Sequence, residues 1–155
     1  MPVLTQSQKD VSQLFNLGIH VAKASATVPQ STTQDLFTIT GGRVLVTLLF
    51  GEVTTVIGSV TENIKVNANP TVGTTYIIAS NVDCNALEPG GLLVVEGDGT
   101  ALIKTGLAGA GPIISGTARW ICPVGTIEME TGASTTGATK WDLFYVPIDD
   151  GAYVA

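Results

Sequence analysis

Few residues of this chain could do chemistry. His20 is its one histidine, and Cys84 and Cys122 are its two cysteines. A thiol activated by an imidazole is a nucleophile, and thiols with imidazoles bind zinc. Three such residues without local spacing are too few for a zinc site, and no nucleophile-elbow or family cysteine signature surrounds them. Glu128 and Glu130 stand two apart. Paired carboxylates hydrolyse glycosides when they flank a cleft with sugar-stacking aromatics. Here they alternate with Ile127 and Met129, which puts both on the outward face of a strand.

Asp98 between glycines, and Asp149-Asp150 before Gly151, carry calcium-binding oxygen but no EF-hand spacing. Turn chemistry accounts for them. The glycines of GLAGAG at 106–111 run G-x-x-G-x-G, the reverse of the dinucleotide fingerprint. The expectation is no catalytic residue, no cofactor and no metal, and not an enzyme.

The elements that would position these groups are strands. Leu36 to Gly58 (LFTITGGRVLVTLLFGEVTTVIG) is the strongest β stretch. Two β-favouring runs flank Gly41-Gly42, which suits a two-residue hairpin. That register sets Thr40 opposite Arg43 and Ile39 opposite Val44. Phe37, Ile39, Val44, Val46, Leu48 and Phe50 then share one face, and Leu45 and Leu49 the other. Such a hairpin, apolar on both sides, needs cover on both.

Further strands are read at 19–28, 63–68, 75–80, 92–96, 101–105, 117–122, 125–131 and 138–146, broken by Pro and Gly turns. On the last one Trp141, Leu143 and Tyr145 face one way, and Lys140, Asp142, Phe144 and Val146 the other. This spacing predicts an all-β single domain over 18–155, an antiparallel β-barrel or β-sandwich. Residues 1–17 are polar with sparse apolar points, read as a short helix at 7–16 or an arm that orders against a partner.

Composition narrows the function. Of 155 residues 45% are apolar and only 13% charged, about half the usual share. A surface so short of charge suggests a symmetric oligomer or burial in an assembly. Net charge is −6, and residues 1–65 are balanced, so the excess acid lies in residues 66–155. Seven scattered cations make no phosphate-binding patch, so no nucleic-acid partner is expected. No basic start precedes an apolar core at the N-terminus, and no apolar run approaches 18 residues. Neither export by a signal nor a membrane span is expected, and synthesis is expected in a cytoplasm.

The passage GTIEMETGASTTGATKWDLFYVPIDDGAYVA (125–155) resembles the closing segment of head decoration, or cement, proteins of tailed bacteriophages. VLVTLLFGEVT and NANPTVGTT are similar to parts of the same pattern. The resemblance touches residues 36–155 by short structural motifs. It implies an all-β domain, usually a homotrimer, that clamps the outside of a capsid on the major capsid protein, with no catalytic residue. The expected location is the virion exterior. Val11, Leu14 and Phe15 of the arm, Leu45 and Leu49 of the hairpin, and Trp141, Phe144 and Tyr145 of the last strand are the candidate interface residues. Two alternatives are a phage tail, fibre or receptor-binding β module, and a small β-barrel enzyme or ligand carrier with His20 near a thiol or the two glutamates in a cleft.

Overall fold

A computed structural model describes residues 15–58, 63–109, 111 and 119–155. The strands are β1 (Ile19–Thr27), β2 (Thr33–Thr40), β3 (Val44–Thr55), β4 (Asn63–Pro70), β5 (Tyr76–Asp83), β6 (Leu92–Val94), β7 (Ile103–Lys104), β8 (Trp120–Cys122), β9 (Gly125–Thr131), β10 (Ala138–Pro147) and β11 (Tyr153–Val154). The first sheet has the order β1-β10-β3-β6-β7, with β8 also paired to β3. The second has the order β11-β2-β9-β4-β5. The named strand pairs are antiparallel, an isolated parallel bridge joins Ser80 of β5 to Ala101, and among the described residues the sheets close into no barrel, so the fold is a β-sandwich.

One core lies between the sheets. The first sheet contributes Val44, Val46, Leu49 and Val53 of β3 with Trp141, Leu143 and Tyr145 of β10. The second contributes Phe37 and Ile39 of β2, Ile64 and Val66 of β4, and Ile127 and Met129 of β9. These are alternate residues of half-buried strands, and their removal from water drives the packing.

The expected hairpin does not form. β2 and β3 belong to different sheets, and Gly41-Gly42 carries the chain from one to the other. Ile39 pairs with Gly125 and Val154, while Val44 pairs with Cys122 and Pro147. The physical reason is in the two runs themselves. Side chains that would share one face of a hairpin meet instead across the core, which buries both sets. The crossing needs glycine: Gly41 has φ +79°, and a Cβ there would stand 2.2 Å from the Gly151 carbonyl oxygen.

The alternation along β3 also breaks. Val46 pairs with Tyr145 but Leu48 with Phe144, so Thr47 is an extra residue, a β-bulge. Beyond it the parity reverses. Leu49 and Val53 turn inward and Leu48 and Phe50 outward, opposite to the unbroken alternation expected. The Thr47 hydroxyl donates a hydrogen bond to the Leu17 carbonyl. That bond holds the short helical turn 15–17 against the sheet. The expected helix at 7–16 lies almost wholly outside the described residues.

Candidate interaction surface

The outward face of the first sheet is apolar. Register aligns Val146, Leu45 and Ile121 in a row across β10, β3 and β8. The next row sets His20, Phe144 and Leu48 side by side. The third carries Asp142, Phe50, Val94 and Ile103. Two polar pairs interrupt these rows, His20 Nε2 to Asp142 at 2.6 Å and, one row on, Lys140 Nζ to Glu52 at 2.9 Å. Ile121 is 60% exposed and Val146 42%. Ile121 and Val146 are thus the residues through which this face leaves large apolar side chains exposed.

The expected interface residues divide. Leu49, Trp141 and Tyr145 are in the core and offer nothing to a partner. Leu49 is inward because of the Thr47 bulge, and Trp141 and Tyr145 because their face of β10 is the one turned to the second sheet. Phe144 and Leu45 are on the outward face, Phe144 largely covered and Leu45 partly. Phe15 is 85% exposed beside that face. Val11 and Leu14 lie outside the described residues. Reading the sequence missed Ile121, although it alternates with the inward Trp120 and Cys122. It also missed Leu48 and Phe50 as outward residues, which no local signal reveals once a bulge intervenes.

His20 lies on this same outward face. Its Nε2–H donates to Asp142 Oδ1 at 2.6 Å, and its ring stacks on Phe144 at 4.6 Å between centroids. The cysteines are on the other side of the sheet. Cys84 and Cys122 are both buried in the core. Burial pushes the Cys122 thiol up to about 11, which leaves it protonated and unreactive at neutral pH. The structure therefore does not bring the imidazole and a thiol together.

The outward face of the second sheet carries a hydrogen-bonded polar network, with Ile77 and Tyr153 exposed on the same face. Asn69 Nδ2 and the Thr126 hydroxyl both donate to Glu128 Oε1, at 2.7 and 2.8 Å. Lys65 Nζ sits 2.8 Å from Glu130, and Asn67 Nδ2 donates to the same carboxylate at 3.0 Å. Lys65 first, and Asn67 with it, hold the Glu130 carboxyl below the usual range, against the cost of burial. Both glutamates point outward, as their spacing predicts, but Glu128 is covered by its neighbours rather than solvated. They line no cleft.

Asp98 and Asp149 serve turns. Asp98 accepts from the Thr100 backbone N–H at 3.0 Å and from its hydroxyl at 2.5 Å. Asp149 takes a forked contact from Arg43, Nε at 2.9 Å and Nη2 at 2.8 Å, and also the Arg43 backbone N–H at 2.7 Å. Among the described residues no group of three or more His, Cys, Asp or Glu side chains could hold a metal ion. No helix among them is long and apolar enough to cross a membrane.

A cavity of about 380 Å³ opens where β8 approaches the start of β5. Pro70, Tyr76, Ile78, Trp120 and Pro123 are among its walls. Its lining is almost wholly apolar, so it lacks the polar groups that would orient a sugar or a reacting substrate.

No protein-family model matches the chain, and no curated protein matches it. Among solved structures it superposes on a chain from the structure of infectious bursal disease virus, Gx strain, with 13% identity and a TM-score of 0.21. The match covers 88% of this chain and 33% of the viral one. A superposition that loose fixes neither fold nor function.

Proposed function

We propose that the chain is a structural virion protein that binds the outside of a tailed-phage capsid and stabilises it by bridging capsomers, itself assembled as a homotrimer. The observation that carries this reading is the apolar outward face of the first sheet. A chain with 13% charged residues keeps Leu45, Leu48, Phe50, Ile121 and Val146 on one side and a bonded polar network on the other. Such asymmetry suits a module with one face docked and one face in water. The resemblance of residues 125–155 to decoration proteins supports the same reading. Many modest contacts repeated over a closed shell add by avidity, so each copy needs no large interface.

The test is co-sedimentation of the purified protein with expanded phage heads stripped of their own decoration protein. Saturable binding to expanded heads, and raised resistance of those heads to heat, are the expected results. No binding at protein concentrations that saturate the native decoration protein would remove this reading.

The cavity beside Tyr76 and Trp120 favours a second reading, a carrier of a small apolar ligand. Quenching of tryptophan fluorescence by an apolar dye, lost on Tyr76→Asp, would support the carrier.

A further inference from the structure

We propose that Asp150-Gly151 is a site of spontaneous covalent modification, where aspartate rearranges to isoaspartate and loosens the C-terminal strand β11. This goes beyond the assembly reading and does not depend on it.

The sequence has two Asp-Gly pairs, Asp98-Gly99 and Asp150-Gly151. A glycine after aspartate leaves its backbone nitrogen open to the side-chain carboxyl, since no Cβ stands in the way. The nitrogen attacks Cγ of the protonated carboxyl. A C–N bond forms, a Cγ–O bond breaks, and one water leaves, made of the amide proton and the carboxyl hydroxyl. The cyclic succinimide then takes up one water. Opening at the side-chain carbonyl restores aspartate. Opening at the backbone carbonyl gives isoaspartate, whose chain runs through Cβ and Cγ. Nothing is oxidised or reduced, and water is the co-reactant.

At Asp98-Gly99 both reacting groups are engaged. The Asp98 carboxylate accepts from the Thr100 hydroxyl at 2.5 Å and from the Thr100 backbone N–H at 3.0 Å. Those bonds, the hydroxyl first, hold the carboxyl below the usual carboxylate range and so in its unreactive ionised form. The Gly99 N–H donates to the Ile78 carbonyl on β5 at 3.2 Å. Attack at this pair has to break all of these contacts.

At Asp150-Gly151 none of this protection exists. Both residues are exposed. Among the described residues neither the Asp150 carboxyl nor the Gly151 N–H has a hydrogen-bond partner. Gly151 has φ +82°, and nothing lies within 4 Å of where a Cβ would stand, so the backbone has room to turn. One backbone bond closes the turn, Ala152 N–H to the Asp149 carbonyl at 3.1 Å.

Isoaspartate adds one carbon to the backbone, and the neighbours decide where it is absorbed. Upstream, Asp149 is clamped by the Arg43 side chain and backbone N–H. Downstream, β11 is short. It is held to β2 by the pairs Tyr153–Thr40 and Val154–Ile39, with Thr38 and Ala155 exchanging backbone bonds of 2.7 and 2.9 Å. The displacement therefore falls on β11, which carries the buried Val154 and follows the buried Ala152.

Ageing of the folded full-length chain at neutral pH tests this. Electron-transfer fragmentation of digests distinguishes isoaspartate from aspartate at each position. Isoaspartate is expected to accumulate at Asp150 at least several-fold faster than at Asp98. Guanidinium chloride, which removes the bonds at Asp98, is expected to bring the two rates together. Hydrogen exchange at the Thr38 and Ala155 amides should quicken in step with the isoaspartate. Asp150→Glu keeps the charge but would have to close a less favoured, larger ring, and both changes are expected to vanish in it. The site is overturned if Asp98 converts as fast as Asp150 in the folded chain, or if Asp150 stays unconverted while the unfolded chain reacts. Isoaspartate at Asp150 with unchanged exchange at Thr38 and Ala155 overturns the loosening of β11.

Discussion

Gly51 lies directly beneath the indole of Trp141. The two are partners in register between β3 and β10. A Cβ on Gly51 would come within 2.8–2.9 Å of three indole carbons. The ring cannot retreat: Trp141 is buried in the core, and its Nε1–H donates to the Thr139 hydroxyl at 3.1 Å.

Gly51→Ala is therefore expected to destabilise the fold by about 1–3 kcal/mol through overpacking. Urea unfolding followed by fluorescence measures it. Trp141→Phe in the same chain makes room for the methyl, so the double variant should lose less than the sum of the singles. Strict additivity would mean that the two residues do not press on one another.

The Arg43–Asp149 contact predicts an acid limb of stability. Hydrogen bonds from the Arg43 side chain and backbone hold the Asp149 carboxyl well below its ordinary range. A carboxyl depressed in the folded state stabilises above its unfolded pKa of about 3.9 and loses that contribution as pH falls toward the folded value. Glu130, lowered by Lys65, acts in the same direction. Asp149→Asn should unfold more easily than the unaltered chain at neutral pH. The gap should close on acidification below pH about 4. A gap that stays constant from neutral to acid pH would show that the carboxyl charge contributes nothing.

Both thiols should be silent in the native protein. Cys84 and Cys122 are buried, and burial raises the Cys122 thiol. A colorimetric thiol reagent at pH 8 is expected to titrate neither in buffer and both in guanidinium chloride. Prompt labelling of the native chain would contradict the core placement.

On the proposed decoration role, the outward face should govern binding to phage heads without governing stability. Ile121→Asp and Val146→Asp change exposed residues, and their unfolding midpoints are expected to move little. Binding to heads is expected to fall at least about tenfold, the equivalent of 1.4 kcal/mol. Equal binding by both variants would mean that another surface docks.

Strand identity was largely legible in the sequence, and strand partnership was not. GTIEMET and ATKWDLFYV alternate cleanly, and their inward residues, Ile127, Met129, Trp141, Leu143 and Tyr145, are core residues of the sandwich. The Gly41-Gly42 turn misled because a glycine pair supports a hairpin and a crossing equally well. What decides is where the partner strands lie, and they come from residues 92–94 and 120–154. The bulge at Thr47 is equally silent, since a threonine in a bulge looks like a threonine in a strand. It cost the inward and outward assignment of Leu48, Leu49 and Phe50. The aromatics of β10 misled for another reason: Trp141 and Tyr145 suit an interface as well as a core, and only the facing sheet decides between the two. No spacing joined His20 to Cys84 or Cys122 in the sequence, and the structure sets the imidazole on the outward face and both thiols in the core.

The place of β10 between β1 and β3 has a consequence for how the protein is made. During synthesis β1 and β3 leave the ribosome early, but the strand that joins them begins only at Ala138. Until then both have an open edge, and β3 carries Leu45 to Phe50 with no partner of its own sheet nearby in sequence. Pairings between residues so far apart form slowly, and waiting apolar strands are prone to join the wrong neighbour. Slow translation through 56–137 would lengthen that exposure. A chaperone that shields β3 should therefore raise the soluble yield more than any change to the finished fold.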